Sequence, residues 1–218
     1  MARMFDLHCH SLFSDGELIP AELVRRVEVM GYDAIAITDH ADASNLDFII
    51  PKVVTAAEQI NKVSPTKLIP GIELTHVHPD QISRLAAQAR RLGAKVVVCH
   101  GETITEPVIP GTNKAALDAD IDILAHPGFI SQEDASKAKE KGIFLELSGR
   151  KGHSLTNGHV AKMAKRTGAS LLINSDGHAP GDFMTRERAR QVGMGAGLEP
   201  LDVEKIYDTA WKMIESIL

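Results

Sequence analysis

An α/β fold closed into a barrel of seven parallel strands is what this sequence predicts, on three observations. Short apolar runs alternate with helix-forming stretches along the whole chain, the arrangement that builds a parallel sheet covered by helices. No long polar linker or internal repeat interrupts the alternation. The length of 218 residues and the 44% hydrophobic content suit one barrel-sized core. A single domain over residues 1–218 is therefore expected, with an open doubly wound sheet as the alternative architecture.

The first strand, about 4–8, runs through a loop at 10–16 into a helix with Pro20 near its first turn, ending by Gly31. The second strand, 34–40, ends in His40, and a helix near 50–62 follows. In the third, 67–73, Pro70 and Gly71 would interrupt a simple ladder and imply a bulge or an edge position. A helix at 79–92, stopped by Gly93, leads to strand 95–100, and a short helix at 113–118 leads to strand 121–126, ended by Pro127 and Gly128. A helix at 132–141 precedes strand 143–147, and a helix at 157–167 precedes strand 171–178. Helices near 185–192 and 201–217 complete the chain, the last packing on the barrel through Trp211, Ile214 and Ile217.

Composition removes several classes of function. A net charge of −5 with 4% aromatic residues provides no basic, ring-studded surface for a long nucleic acid. No apolar run is long enough to span a bilayer, and the amino terminus lacks the pattern of a secretion signal. The two cysteines, Cys9 and Cys99, each stand next to a histidine at a strand end and read as buried thiols in a reducing compartment. A cytoplasmic location is expected, with no membrane partner.

The strand ends carry the chemistry. His8 and His10 share a face by alternation, and Asp15 returns on a turn closed by Gly16. His40, Glu73, His100, His126, Asp176 and His178 stand at or just beyond the carboxyl ends of later strands, where barrels place their active sites. Such residues make poor core and good metal ligands. A lone strand-end histidine is ordinarily a hydrogen-bonded core residue, but so many independent strand ends converging on ligand types is not an accident of packing. Divalent ions there would offset phosphate charge and convert bound water to hydroxide, the expected nucleophile.

The set His8-x-His10 with Ser14-Asp15-Gly16, Thr38-Asp39-His40, Gly71-Ile72-Glu73, His100-Gly101-Glu102, His126-Pro127-Gly128 and Asp176-x-His178 resembles the PHP family of metal-dependent phosphoesterases. The resemblance implies a distorted seven-stranded β/α, TIM-like barrel. It also implies two or three metal ions: His8, His10, Glu73 and Asp176 at the first, Glu73 bridging to a second held by His100 and His126, and Asp15, His40 and His178 at the third. Zinc, manganese and iron all suit imidazole with carboxylate. The implied activity is hydrolysis of a small phosphomonoester, such as histidinol phosphate or a nucleotide. A nuclease or phosphodiesterase acting on short oligonucleotides, and a metal-binding module without turnover, are the alternatives.

Glu73, Asp176, His178 and Arg150 form the expected catalytic group, with Arg150 gripping the phosphate through its planar guanidinium. Asp39 reads as an orienter of a metal-binding residue or as a strand-end cap, and Glu146 as an outer partner of the centre, a partner of a substrate amine or a helix-facing carboxylate with a basic neighbour. His76, His78 and His153 read as surface-loop histidines, with contact to substrate or proton delivery to the leaving group as the alternative. Arg25, Arg26, Arg186, Glu187, Arg188 and Arg190 read as solvated helix faces.

Overall fold

The computed structural model describes residues 3–218, so the first two positions of the expected domain lie outside the described residues. The strands are β1 (Phe5–Asp6), β2 (Ala34–Ile37), β3 (His40–Ala41), β4 (Lys67–Leu74), β5 (Val96–His100), β6 (Ile123–Ala125), β7 (Phe144–Ser148) and β8 (Leu171–Asn174). They lie parallel in the order β1-β2-β4-β5-β6-β7-β8, with β3 also beside β4. The pairs Ile37↔Pro70 and His40↔Glu73 keep one register, so β2 and β3 are one strand broken at Thr38 and Asp39. Counted so, seven parallel strands form a nearly closed barrel. Apart from His40, Lys67 and Pro70, their side chains are buried on both faces, as a parallel sheet flanked by helices requires.

The expected edge or bulge at Pro70 is not found. β4 is central, between β2 with β3 on one side and β5 on the other, and the break falls on its neighbour. Pro70 has no N–H to donate. Beside it, Thr38 turns its own N–H to the Cys9 carbonyl at 2.8 Å. That turn exposes His40 at the mouth, while Glu73 N–H still reaches the Asp39 carbonyl at 3.0 Å.

The helices are α1 (Pro20–Val29), α2 (Leu46–Ile60), α3 (Pro79–Leu92), α4 (Thr112–Ala116), α5 (Gln132–Lys141), α6 (Asn157–Thr167), α7 (Arg186–Gly195) and α8 (Pro200–Ile217), with a 3-10 turn at His153–Thr156. Proline opens α1, α3 and α8, and glycine closes α3, α5 and α6. α2 begins four residues earlier than its sequence implies, because burial of Leu46 and Ile49 outweighs the one backbone bond lost at Pro51. α8 lies on β1, where the Phe5 ring stands 4.9 Å from Tyr207 and 6.1 Å from Trp211. Arg186 is not the solvated charge expected: its guanidinium lies 3.4 Å over the Tyr207 ring and bonds Glu204, clamping α7 to α8. No helix among the described residues is long and apolar enough to cross a membrane.

The barrel closes between β1 and β8 largely through side chains. Among the described residues the only backbone bridge there is Cys9↔Gly177, with His10 N–H donating to the Gly177 carbonyl at 2.8 Å. Below it, Asn174 Oδ1 accepts from Leu7 N–H at 3.1 Å and Asp6 Oδ2 accepts from Ser175 N–H at 2.8 Å. These side chains replace ladder bonds that two short strands cannot make. Asn174→Ala strands a buried N–H and removes a donor to Glu146, so we expect a loss of about 2–4 kcal/mol in denaturant unfolding; a change under about 0.5 kcal/mol would remove this seam from the account of closure.

Candidate metal centre

Each strand delivers one or two polar side chains to the same end of the barrel. The loop after β1 is pinned by Asp39, whose carboxylate accepts from Ser11 N–H, Ser11 Oγ and Ser14 Oγ, each at 2.7 Å. Asp39 therefore anchors the loop that carries Asp15 and makes no bond to an imidazole. Gly16 is required by close approach, since a Cβ there would stand 2.3 Å from the His10 carbonyl oxygen. His126 and Asp176 both have left-handed backbones, with φ of 27° and 53°. Non-glycine residues hold such angles at a cost of roughly 1–3 kcal/mol, and they concentrate at functional sites.

Glu73 lies at the centre, fully buried. Its Oε1 is 3.4 Å from His8 Nε2 and 3.8 Å from His126 Nε2; its Oε2 is 2.9 Å from His40 Nε2 and 3.9 Å from His10 Nε2. Asp176 Oδ1 stands 3.3 Å from His10 Nε2 and 3.8 Å from His8 Nε2. On the outer side, Asp15 reaches His178 Nε2 at 3.2 Å and His40 Nδ1 at 3.8 Å. Ligand atoms of His8, His10 and Glu73, of His10, Asp15, His40 and His178, and of His100, His126 and His153 each gather within 4.8 Å of one another. All nine positions expected from sequence thus meet in one centre.

The donor chemistry fits metal ions. His8 Nε2, both ring nitrogens of His10 and of His126, His178 Nε2 and Glu73 Oε1 are buried without a hydrogen-bond partner. Buried polar atoms are almost always paired, and so many orphans converging on one point are what a set of cation ligands leaves. Glu146 supplies the orientation. Its Oε1 accepts from His8 Nδ1–H at 2.8 Å and Asn174 Nδ2–H at 2.9 Å, and its Oε2 accepts from His126 N–H at 3.1 Å. That leaves His8 Nε2 facing the centre, the carboxylate–histidine arrangement that tunes metal ligands; the basic neighbour of Glu146 is this imidazole, and no lysine or arginine pairs with it among the described residues.

Burial depresses His10 and His126, aided by neighbouring His8 and His100 respectively, and so keeps their lone pairs free. Burial opposes charge on His8 as well, but the carboxylates of Glu146, Glu73 and Asp176 reverse it and raise His8 well above the ordinary histidine value. Glu73 is held well below the usual carboxylate range by His8 and His40 against the effect of burial. Burial, with Glu73 and Glu146 adding, pushes Asp176 up to about 7.

Arg150 stands at the mouth, its Nη1 2.7 Å from His178 Nδ1 and 3.3 Å from the Asp176 carbonyl. It lines a cavity of about 50 Å³ together with Asp15, His40, His100, Glu106, His126, His153, Asp176 and His178. Two of these were not expected. Glu106, in the loop after β5, lies 3.1 Å from His100 Nε2 and 3.4 Å from His153 Nε2. His153, read as a surface residue, is buried, stacked on His126 at 4.0 Å and held by Thr103 Oγ1 at 2.8 Å. Its place on a 3-10 turn, rather than a strand end, hid it from strand-end reasoning. His76 reaches Glu106 at 3.1 Å from an exposed loop, whereas His78 caps α3. Glu102 accepts from Gly111 N–H and Asn113 N–H and so fastens the start of α4.

Metal binding must displace protons from His8 and, below about pH 7, from Asp176. Apparent affinity for manganese or zinc is therefore expected to fall at least about tenfold per unit from pH 7 to pH 5 in direct titrations; a flat profile would contradict this proton balance. Glu146→Gln frees the His8 ring and should weaken metal affinity about 10- to 100-fold at constant pH. Unchanged affinity would make Glu146 a packing residue only.

The description of the PHP domain matches residues 6–153 of this chain. An uncharacterized protein of Methanocaldococcus jannaschii is 52% identical over 202 residues, spanning 92% of this chain and 93% of that protein. The 5'-3' exoribonuclease Rnm of Salmonella typhimurium is 27% identical over 208 residues, 88% of this chain and 61% of the longer enzyme. Among solved structures, histidinol phosphate phosphatase from Lactococcus lactis, complexed with Zn, L-histidinol and phosphate, superposes with a TM-score of 0.66 at 17% identity, covering 90% of this chain and 95% of that one, a likeness of fold. The family match over residues 6–153, most of the barrel, identifies this protein as a member of the PHP family.

Proposed function

We propose that this protein is a metal-dependent phosphoesterase that releases phosphate from a small phosphomonoester, histidinol phosphate or a nucleotide being the model substrates. The observation that carries the reading is the cluster of buried, unpartnered imidazole and carboxylate atoms around Glu73 with a guanidinium at its rim. His8, His10, Glu73 and Asp176 would hold one ion, Glu73, His100 and His126 a second, and Asp15, His40 and His178 a third. Zinc, manganese or iron would satisfy this donor set. Bound there, the ions supply Lewis acidity and lower the pKa of water toward neutrality.

The chain's own groups do the rest. Arg150 N–H groups pair with phosphate oxygens and orient the ester over the cavity. Glu146 and Thr103 fix the rings of His8 and His153, so that the site spends little reorganisation when charge builds on the phosphate. Glu106 lies between His100 and His153 and adds a carboxylate on the side of the proposed second ion.

The likeness to a 5'-3' exoribonuclease along 88% of this chain supports a second reading, stepwise hydrolysis of short oligonucleotides. A substrate panel run with manganese, zinc and iron separates the two: inorganic phosphate released from monoesters supports the first, and shortened oligonucleotides without that release replace it with the second. Glu73→Gln touches all three ligand groups, whereas Arg150→Ala removes the phosphate grip and one hydrogen bond to His178, so we expect Arg150→Ala to lose about 10²-fold in kcat/KM and Glu73→Gln at least ten times more. Equal, small losses would overturn the assignment of Glu73 as the bridge.

A further inference from the structure

Glu106 and His153 lie outside the nine positions that the family resemblance supplies, yet both point into the centre beside His100 and His126. Each is fixed by contacts of its own. His153 opens the 3-10 turn, and Gly152, at φ 94°, brings that turn so close to the loop after β5 that a Cβ there would stand 3.1 Å from Thr105 Cγ2. The buried His153 ring stacks on His126 with centroids 4.0 Å apart and planes inclined by 16°. Its Nδ1 lies 2.8 Å from Thr103 Oγ1 and 3.2 Å from Thr105 Oγ1. Donation of Nδ1–H to these hydroxyls puts the ring's lone pair on Nε2. That nitrogen makes no hydrogen bond among the described residues and stands 3.4 Å from Glu106 Oε1 and 3.9 Å from Asp176 Oδ2. His100 is prepared in the same way: its Nδ1–H donates to the Gly101 carbonyl at 3.2 Å, and its Nε2 is 3.1 Å from Glu106 Oε2.

Glu106 has imidazoles alone for partners. His76, His100 and His153 reach its carboxylate, and no lysine or arginine pairs with it among the described residues. A cation held by the lone pairs of His100, His126 and His153, whose ligand atoms gather within 4.8 Å of one another, balances that charge without protonating any ring. We propose that His153 Nε2 and the Glu106 carboxylate are ligands of the second ion, completing a set of five protein groups with Glu73, His100 and His126, against four at the first ion and three at the third. The proposal rests on the three-ion arrangement given above and is independent of the reaction. His76, which touches the same Glu106 oxygen from an exposed loop, orients the carboxylate as an outer partner does. Held by the most protein groups, the second ion is the last of the three to leave.

The test is NMR of protein whose histidines carry an NMR-active nitrogen isotope, loaded with NMR-active cadmium as the probe ion. We expect scalar coupling between cadmium and Nε2 of His153, whose ring is identified in the wild type by its nuclear Overhauser contacts with Thr103 and Thr105. Coupling at His100 and His126 with none at His153 overturns His153 as a ligand. Coupling at none of the ten histidines overturns the three-ion arrangement and this proposal with it. During stepwise addition of a chelator to wild type, coupling at His100 should outlast that at His8 and His178; its earlier loss overturns the set of five. In Glu106→Gln, the ion coupled to His100 should leave at a chelator concentration at least about tenfold lower than in wild type, and the ion coupled to His8 within about twofold of its wild-type value. Equal retention by the two proteins overturns Glu106 as a ligand.

Discussion

A buried carboxylate surrounded by imidazoles is the constraint to which the rest of the chain answers. Glu73 reaches His8, His126, His40 and His10 from one position, and none of these groups could be taken out of water singly without a large penalty. Together, carboxylates and protonated or cation-bound imidazoles balance charge that the barrel interior could not otherwise accept. The strands bring them there because each β/α unit presents its carboxyl end at one rim. Apolar side chains fill the barrel below, so the polar atoms can be gathered at that rim without costing the core its packing.

The surroundings of the centre are built to keep these side chains still. Glu146 holds both the His8 ring and the backbone of His126, and Asn174, which bonds Glu146, also closes the seam between β1 and β8. Support of the centre and closure of the barrel are thus one hydrogen-bond network. Left-handed backbone at His126 and Asp176 shows the same coupling from the other side. Strain at two predicted ligand positions persists because flanking loops are locked: Asn113 bonds the Pro127 carbonyl and the Glu102 N–H, and Gly128, at φ 62°, lets the backbone pass where a Cβ would stand 1.9 Å from the Glu102 carbonyl oxygen.

Electrostatics and access differ across the centre. The inner residues His8, His10, Glu73, His126 and Asp176 are buried, while Asp15 is exposed and His40 and His178 are part-exposed. The outer group therefore faces the solvent from which a substrate arrives, and Arg150 sits where the two groups meet, bonding His178 on one side and the Asp176 carbonyl on the other. Asp15 and His178 are open to solvent on one side, so an ion there would exchange more readily than one held among fully buried ligands.

Alternation of apolar runs and helix signals determined the barrel and the order of its elements, because the parallel sheet needs those runs whatever their partners are. The same logic pointed to eight strand-end positions from His8 to His178, since a polar residue at the end of a buried strand has few other uses; Asp15 was legible only as a carboxylate on the turn closed by Gly16. Only the tertiary structure decided what depended on neighbours distant in sequence. It decided that Asp39 ties down the Ser11 and Ser14 loop, that Glu146 orients His8 from 138 residues away, and that Pro70 leaves its own strand central while the adjoining one breaks. His153 and Glu106 enter the centre for that reason too: loops have no periodicity that reveals their direction, and only the packing of the 3-10 turn against Thr103 and of the loop after β5 aims these two side chains inward.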